Sequence, residues 1–376
     1  MIVNPNVLSI SSDRKLFEKD SSVRRRQISF GHLADQFHII VFAKKSLGLA
    51  TEQISKNTWI YPTNSSSKFS YMSDAVKIGL TLGKSELITV QDPFESGWVG
   101  YKLSKKLKAK LHVQLHTDFL NPFFTKSGFL NKIRVILGKF ILRRADGIRV
   151  VSSRIKQSLK KLNLKVEPDI IPVFIDIRRF QEGQVSLNID KEYPDFEKVI
   201  LTVARLEEEK NIELGIQAFK SILETHPKTG YLIIGDGSLK NNLENLVEKE
   251  GLEKNVIFVG WQNNLTSYFK SADVYLSTSN YEGYGISMIE AVLSLLPIVS
   301  TDVGVAGDVL INNVNSLICP VGDKECLIRS LNRLLEERHT IELFKKNNTE
   351  ILKNLIPQFE YAYYENYRKS WMQALK

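Results

Sequence analysis

The chain has 376 residues, of which 43% are hydrophobic and 25% charged, the ordinary balance of a folded globular protein, and this excludes a disordered one. That length exceeds most single hydrophobic cores, so two domains are expected. The net charge of +9 is uneven, because residues 1–180 carry 31 Lys and Arg against 14 Asp and Glu, a net of +17, and the rest carries −8. The basic half favours an anionic partner, such as nucleic acid, an anionic bilayer surface or a phosphorylated substrate.

Targeting and redox signals favour the cytoplasm. No apolar run approaches the roughly 20 residues that a membrane span needs, and the N-terminus lacks the charged-then-apolar layout of a secretory signal. Cys319 and Cys326 are the only cysteines, and their spacing fits neither a disulfide framework nor a zinc site. A reducing compartment is therefore expected.

Strand-like and helix-like segments alternate along both halves, which predicts parallel sheets with right-handed crossovers. The fold class is thus α/β, with two Rossmann-like, doubly wound domains. In the first half, strands are predicted at 7–11, 38–43, 87–91, 111–116, 147–152 and 170–174, and helices at 97–108 and 131–144. In the second half, strands are predicted at 199–203, 231–234, 256–259, 274–277, 298–300 and 316–318, and helices at 212–224, 239–250 and 286–296.

The predicted domain boundary is a polar stretch with little periodicity at residues 181–197. It would link an N-terminal domain, 1–180, to a C-terminal domain, 198–356. The final run, 357–376, is predicted to be helical. Because ligands of open α/β sheets bind beyond the carboxyl ends of the strands, the site is expected between the two domains.

The most specific signal lies in residues 280–291. Glu282 precedes the Gly-Tyr-Gly turn at 283–285, and Glu290 follows eight positions later within a helical run. Backbone N–H groups at such a helix start form a phosphate site, and a carboxylate at Glu290 can accept hydrogen bonds from a pair of sugar hydroxyls. The alternative is that these acidic residues serve only the helix dipole.

Two cations, Arg205 and Lys210, follow the first predicted strand of the second half, five positions apart. Such a pair can straddle a diphosphate, because Arg offers a planar fork and Lys a point charge. Taken alone they are better explained as a solvated charged turn that residues 207–209 balance. Together with the Glu282–Glu290 segment, the diphosphate role becomes the better interpretation.

The order of these motifs resembles the family 4 glycosyltransferases, of group 1 type, which have the GT-B fold. The carboxylates match the Glu-x7-Glu signature, and residues 205–210 match the Arg-Leu-x3-Lys motif. The resemblance implies a retaining, metal-independent hexosyltransferase without cofactor, acting across a cleft between its domains. It also implies that domain 1–180 binds the acceptor, that domain 198–356 binds the nucleotide sugar, and that the helix at 357–376 crosses back to the N-terminal domain. Its donor would be a nucleoside diphosphate sugar, with UDP favoured over GDP, and its acceptor a hydroxyl in polysaccharide or lipid-linked glycan assembly. The implied donor-binding residues are Arg205, Lys210, Gly260, Glu282, Gly283, Tyr284, Gly285, Ile286 and Glu290.

His116 ends the predicted strand 111–116, on the same strand face as His112. For His112 a structural role is equally consistent, because a lone histidine is more often a satisfied core residue. The resemblance implies that His116 contacts the transferred sugar, and that Asp118 assists it. The implied catalytic residues are His116, Arg205, Lys210 and Glu282.

Three glycine-containing segments can be compared with the family pattern. Residues 302–305 resemble an Asp-Val-Gly-Gly loop, but Val305 replaces the second glycine. Residues 235–237, Gly-Asp-Gly, predict a tight turn rather than a dinucleotide fingerprint, because no third glycine follows at the required spacing. Gly260 ends a predicted strand at the place where the family packs the nucleotide base.

Basic residues of the first half are assigned to the acceptor or to a membrane surface: Arg24, Arg25, Lys102, Lys105 and Lys106. With the aromatic loop at 121–126, they would form a peripheral face at the inner side of the cell membrane. A charged solvent face is the alternative. The alternative functions are a nucleic-acid or anionic-surface binding protein, and a GT-B epimerase or phosphorylase. No nucleic-acid module is recognisable, so no nucleic-acid partner is expected.

Overall fold

The computed structural model describes residues 4–126, 128–177, 180, 183, 185, 187, 189–360 and 362–376. The chain forms two compact units. Unit 1 comprises Met1–Pro172 and Ala362–Lys376, and unit 2 comprises Val173–Tyr361.

Within the described residues, unit 1 is built on an eight-stranded sheet of order β3-β4-β2-β1-β5-β6-β7-β8. Every neighbouring pair is parallel except the β3–β4 hairpin. The strands are β1 (Val7–Ser11), β2 (Phe37–Val41), β3 (Glu52–Ser55), β4 (Thr58–Pro62), β5 (Leu87–Val90), β6 (Lys110–Leu115), β7 (Gly147–Val150) and β8 (Asp169–Ile170).

Six helices connect these strands: α1 (Ser22–Gly31), α2 (Tyr71–Thr81), α3 (Glu95–Leu107), α4 (Pro122–Lys126), α5 (Phe129–Leu142) and α6 (Ser153–Leu159). Short 3-10 helices lie at Arg14–Phe17, Lys45–Leu47 and Lys68–Ser70. The central strands β1 and β5 are fully buried, as expected for a parallel sheet covered on both faces.

Unit 2 carries a six-stranded, wholly parallel sheet of order β11-β10-β9-β12-β13-β14 within the described residues. Its strands are β9 (Lys198–Val203), β10 (Thr229–Ile234), β11 (Val256–Gly260), β12 (Val274–Ser277), β13 (Ile298–Thr301) and β14 (Leu317–Cys319). Its helices are α7 (Ile189–Glu192), α8 (Ile212–Thr225), α9 (Lys240–Lys249), α10 (Leu265–Ser271), α11 (Ile286–Leu293), α12 (Lys324–Glu336) and α13 (Arg338–Glu360), with a 3-10 turn at Glu208–Lys210.

The core of unit 2 forms where helices pack their apolar stripes on this sheet. Along α8, Ile212, Ile216, Phe219 and Ile222 recur every three or four residues and are all buried. Each fully buried side chain of this size contributes about 1.5–3 kcal/mol. The same core receives Tyr231 from β10, whose hydroxyl hydrogen-bonds Thr202 of β9 at 2.8 Å. This packing holds the carboxyl ends of β9 and β12 in fixed positions.

The last helix, α14 (Tyr363–Leu375), belongs to unit 1 and packs on β6 and β7. Its buried face includes Tyr367, Ser370, Trp371 and Ala374. Gly147 of β7 allows the close approach, because a Cβ there would lie 2.6 Å from the Cβ of Ala374. The C-terminal segment is therefore part of the unit that the N-terminal residues build.

The two cysteines form a disulfide, with Cα atoms 5.7 Å apart, so the expectation that their spacing fits none is wrong. Cys319 ends β14, and Cys326 lies in the first turn of α12, where its N–H donates to the Asp323 cap at 2.9 Å. The turn between strand and helix reverses the chain and brings the two residues together. The inference of a reducing compartment loses the support it drew from unpaired thiols. Among the described helices, none is long and apolar enough to cross a membrane.

Candidate active site

Two loops at the carboxyl ends of β9 and β12 are held against each other in unit 2. Thr278 Oγ1 donates to the backbone carbonyls of Lys210 and Asn211 at 3.1 and 2.9 Å. Asn280 N–H donates to Glu209 O at 2.8 Å, and its side-chain oxygen accepts from Asn211 Nδ2 at 3.2 Å. Because β9 and β12 are adjacent parallel strands, these bonds join the two segments that carry the predicted diphosphate and sugar residues.

Lys210 and Glu282 form an ion pair across these loops. Their Nζ and Oε1 atoms lie 2.5 Å apart, and the two side chains are 15% and 14% exposed. Ser279 Oγ donates to the same carboxylate oxygen at 2.9 Å. Since a lysine ammonium has three donors, Lys210 can hold Glu282 and still bind an anion. The pair joins two residues that the sequence analysis assigned to the donor site, one from each loop.

Arg205, the second predicted cation, is 65% exposed and pairs with the half-buried Glu209, with Nη2 and Oε1 2.6 Å apart. The backbone of its loop is fixed independently, because Leu206 N–H donates to Asp236 O at 3.0 Å. Glu207 accepts from both the N–H and the hydroxyl of Ser238, at 3.0 and 2.7 Å. The carboxylates of Glu207 and Glu209 thus make distinct local contacts rather than belonging to a uniform solvated turn.

The glycine turn at 283–285 leads directly into α11. Gly285 has φ +90° and precedes the first helical residue, Ile286, which is 45% exposed. Gly304, with φ +57°, packs closely against this turn. A Cβ at Gly304 would lie 2.4 Å from Tyr284 O. The first N–H groups of a helix have no acceptor within it and can bind an anion. The helix start therefore offers donors beside the Lys210 ammonium.

Glu290 is half-buried at the fifth position of α11, between the buried residues Ile289 and Ala291. Its carboxylate and that of Glu282 both act electrostatically on the phenol of Tyr275. The pKa of Tyr275 is raised first by burial, and further by the negative charges of Glu282 and Glu290. The Tyr275 hydroxyl donates to Ser287 Oγ at 2.7 Å. The two carboxylates of the signature thus both lie within electrostatic range of Tyr275, Glu282 before α11 and Glu290 within it.

The neighbouring strand ends complete this edge of unit 2. Gly235 approaches the β9 loop so closely that a Cβ there would lie 1.8 Å from Ala204 O. Its N–H donates to Gly260 O at 3.0 Å. Gly260 itself has φ +76° and open space around it, and the following Trp261 is 67% exposed. The predicted tight turn at 235–237 thus serves close backbone packing, and Gly260 borders an exposed aromatic surface.

His116 lies in unit 1, at the carboxyl end of β6, with an exposed edge. Its Nε2 lies 3.4 Å from Arg149 Nη1 and 3.4 Å from Gln114 Oε1. That oxygen already accepts from Arg149 at 3.1 Å and from the Tyr367 hydroxyl at 2.5 Å. Because a guanidinium only donates, the arrangement favours an unprotonated Nε2 and a proton on Nδ1. Desolvation, with the charges of Arg149 and Arg26, lowers the pKa of His116, so the ring is neutral at pH 7.

Arg149 is a buried residue that sequence reasoning missed. It is 1% exposed and donates to the carbonyls of Ile171 and Pro172, at 3.0 and 2.5 Å. Its Nη1 also donates to the Tyr367 hydroxyl at 3.1 Å. The sequence does hold a signal for it, namely an arginine inside the apolar strand β7. Because a buried charge requires partners, such an arginine predicts a buried polar network. Arg149 therefore links three parts of unit 1: residues 171 and 172 at the end of the segment Met1–Pro172, helix α14, and strand β6, which leads to His116.

The other polar candidates of unit 1 have structural partners. His112 is fully buried, with Nδ1 3.0 Å from Thr89 Oγ1 and Nε2 3.1 Å from Ser370 Oγ. Asp118 is buried and accepts from Ser158 Oγ at 3.0 Å, and its pKa is raised by desolvation. The structural reading of His112 thus has direct geometric support.

The basic residues assigned to an acceptor or membrane differ in exposure. Lys102, Lys105 and Lys106 are exposed on α3, and the first two lie over the rings of Trp98 and Tyr101 at 4.7 and 5.9 Å. Arg25 is also exposed, although its Nη1 donates to Asp20 O at 2.7 Å. Arg24 instead is buried and makes a two-pronged ion pair with Glu52. The surface role predicted for Arg24 therefore does not agree with its position.

Sequence reasoning also missed the hydroxyl residues that support the donor loops. Ser279 and Thr278 bind Glu282 and the Lys210 carbonyl, and Thr301 Oγ1 donates to Ser279 O at 2.7 Å. All three are buried. A run of hydroxyl residues directly after a buried strand, as at 277–279, is the signal that could have identified them.

Comparison with known proteins agrees with this geometry. Residues 188–351 match the family model for glycosyl transferases group 1. A glycosyltransferase of Methanocaldococcus jannaschii is 30% identical over 238 residues, which cover 62% of this chain and 53% of the relative. The alpha-monoglucosyldiacylglycerol synthase of Streptococcus pneumoniae is 27% identical over 228 residues, covering 57% and 51%. The chain thus spans about half the length of these relatives.

Solved structures match almost the whole chain. Sucrose-phosphate synthase from Thermosynechococcus elongatus superposes with a TM-score of 0.80 at 20% identity, covering 98% of both chains. Anabaena HepE, solved in complex with UDP-glucose, superposes with a TM-score of 0.77 at 18% identity, covering 99% of this chain and 100% of that one. This likeness confirms the predicted GT-B fold class. Residues 188–351, most of unit 2, are thus similar to the glycosyl transferases of group 1.

Proposed function

We propose that this protein transfers a hexose-type sugar from a nucleoside diphosphate sugar to an acceptor hydroxyl. The observation that carries the proposal is the Lys210–Glu282 ion pair, held beside the start of α11 with Glu290 one turn further along. A cation, helix-start N–H groups and two carboxylates form a set that suits a diphosphate with a sugar on each side. The match of residues 188–351 to the glycosyl transferases of group 1 supports the same reaction.

UDP is the proposed nucleotide. HepE was solved with UDP-glucose, and TarM of S. aureus was solved with UDP. In this chain, Glu290 would accept hydrogen bonds from the ribose hydroxyls, and the open surface at Gly260 and Trp261 would receive the base. Glu282 would face the transferred sugar.

In the proposed reaction, the bond from the anomeric carbon to the diphosphate breaks and a bond to the acceptor oxygen forms, while the acceptor hydroxyl loses its proton. Negative charge grows on the leaving diphosphate. Lys210, Arg205 and the N–H groups at Gly285 and Ile286 would stabilise that charge, the contribution that is usually largest. The neutral His116 would donate a hydrogen bond to the sugar from Nδ1 rather than act as a cation.

Retention of anomeric configuration and independence from a metal ion are further parts of the proposal, carried by the family resemblance. The acceptor is proposed to be a growing glycan or a lipid-linked sugar at the inner face of the cell membrane. The alpha-monoglucosyldiacylglycerol synthase is named for a lipid acceptor, and a core mannosyltransferase of Rhizobium meliloti for lipopolysaccharide. The exposed lysines of α3 would face that acceptor or its membrane.

Thermal unfolding with a panel of nucleotides tests this proposal. Ligands that bind the native state raise the unfolding temperature, so UDP should raise it more than uridine, and more than GDP or ADP. The difference between the rise in unfolding temperature with UDP and the rise with uridine reports the contacts to the diphosphate. It should disappear in Lys210→Met, whereas Lys220→Met, which breaks the exposed Lys220–Glu250 pair of the same unit, should keep it.

An equal rise in the unfolding temperature with UDP and with uridine in the unchanged protein would contradict a diphosphate site. A shift with UDP that survives Lys210→Met would remove Lys210 from that site. A larger shift with GDP would keep the reaction but change the donor.

A further inference from the structure

Helix α5 of unit 1 presents an apolar face to solvent, which is the reverse of an ordinary surface helix. Phe129, Ile133, Ile136 and Phe140 recur every four, three and four residues and so lie along one stripe. Phe129 is 77% exposed, Ile136 71% and Ile133 46%. The opposite face, with Gly138, Ile141 and Leu142, is the one that packs into the unit.

One edge of this stripe is cationic. Lys132, Lys139 and Arg143 follow one another at intervals of seven and four residues, which places them side by side along the helix. Residues 119–145 contain six Lys and Arg and no Asp or Glu. An exposed apolar stripe bordered by cations is the pattern of a helix that lies flat in a membrane interface.

The neighbouring elements extend the same surface. In α4, Phe123 is 39% exposed and Lys126 Nζ lies 5.8 Å from its ring centroid. At the other end, the Phe140 ring lies 6.3 Å from Trp98 and 5.3 Å from Tyr101 of α3. The exposed lysines Lys102 and Lys105 lie over those two rings. Cations and aromatic rings therefore continue from α4 along α5 to α3.

We propose that α5 docks this protein on an anionic bilayer, with Phe129, Ile133 and Ile136 inserted between head groups and the cationic edge facing their phosphates. The absence of acidic residues from 119–145 selects an anionic surface. The stripe of exposed aliphatic side chains selects a bilayer over a nucleic acid, which offers these residues no apolar partner. The proposal does not depend on the transferase reaction, because this surface lies in unit 1 and contains none of the donor residues.

Co-sedimentation of the full chain with vesicles tests the proposal. Binding should be strong to phosphatidylcholine vesicles that contain phosphatidylglycerol, weak to phosphatidylcholine alone, and reduced by salt. The double variant Ile133→Ser/Ile136→Ser should weaken binding by about tenfold or more. Phe69→Ser, which removes a 95% exposed side chain elsewhere in unit 1, should leave it unchanged.

A second pair of variants separates the cationic edge from net charge. Lys132→Glu/Lys139→Glu should weaken binding by about tenfold or more, whereas Lys56→Glu/Lys84→Glu, which changes the net charge equally at exposed positions elsewhere, should weaken it less. Equal losses in the two charge variants would overturn the proposal, as would vesicle binding that the serine variant leaves unaltered.

Two other results would replace the bilayer with a different occupant. A lipid-free dimer that Ile133→Ser/Ile136→Ser converts to a monomer in sedimentation velocity would show that a second copy covers α5. Tight binding to duplex DNA that the serine variant retains would assign the cations to nucleic acid. Because UDP binding is measured separately in unit 2, failure of the docking proposal leaves the proposed transferase function open to its own test.

Discussion

At the scale of single residues, the ion pair of Lys210 and Glu282 explains how the donor loop can be ordered before a donor binds. An ammonium group that is only 15% exposed needs a partner, and the Glu282 carboxylate supplies it at 2.5 Å. Arg205 is paired with Glu209 in the same way, although it is far more exposed. A diphosphate would therefore meet positioned cations rather than mobile side chains, which is the arrangement that stabilises developing charge most effectively.

The buried histidine His112 leads to a prediction about pH. Burial and the charge of Arg149 lower its pKa to about 3, from 6.5, so the native state holds it neutral. Its contribution to stability is complete above pH ~6.5 and is lost as the pH falls from there toward the folded pKa, by about 1.4 kcal/mol per pH unit. In urea unfolding at decreasing pH, His112→Gln should therefore lose stability less steeply than the unchanged protein.

The matched control is His32→Gln, which removes a histidine from an exposed position in unit 1. This variant should keep the unchanged protein's dependence on pH. Parallel curves for the unchanged protein and His112→Gln would mean that His112 is protonated in the native state, contrary to its lowered pKa.

At the scale of elements, the β13 loop supports the turn that carries Glu282 and Tyr284. Gly304 has φ +57°, and a Cβ there would lie 2.4 Å from Tyr284 O and 3.0 Å from the Cβ of Glu282. Gly304→Ala should therefore displace the turn and weaken UDP binding by about tenfold or more, a loss of about 1.4 kcal/mol. Titration calorimetry with UDP measures this effect.

Gly307→Ala is the control for backbone strain. Gly307 also has a positive φ, +87°, but nothing lies within 4 Å of the Cβ position. Both variants bear the cost of about 1–2 kcal/mol for a left-handed residue with a side chain, yet only Gly304→Ala should lose UDP affinity. Equal affinity in the two variants would show that contact with the turn is unimportant.

The elements of unit 2 were largely predictable, and some of unit 1 were not. The strand predicted at 231–234 lies within β10, and the helix predicted at 212–224 corresponds to α8, because buried parallel strands read as apolar runs between amphipathic helices. The β3–β4 hairpin was missed, since its side chains are mostly half-buried and the segment ends in Pro62. The disulfide was missed because it depends on the turn before α12, which spacing alone does not reveal.

At the scale of the whole molecule, the predicted site residues divide between the two units. Lys210 and Glu282 form an ion pair in unit 2, and Glu290 lies in the same unit; each of their motifs follows a strand and could be located from sequence. His116 belongs to unit 1. The residues that sequence did not identify, such as Arg149 and Thr278, act through contacts between segments distant along the chain. Those contacts exist only in the folded units, so no local sequence pattern predicts them.

The most direct test of the central claim is a calorimetric titration of UDP into the unchanged protein, Glu290→Gln and Glu248→Gln. Glu248 is an exposed carboxylate on α9 of the same unit, so its variant matches the change in charge. Saturable UDP binding is expected in the unchanged protein and in Glu248→Gln, with at least about a tenfold loss in Glu290→Gln, because the ribose hydroxyls lose a charged acceptor. Absence of UDP binding to the unchanged protein, or equal affinity in all three proteins, would contradict a donor site at the start of α11.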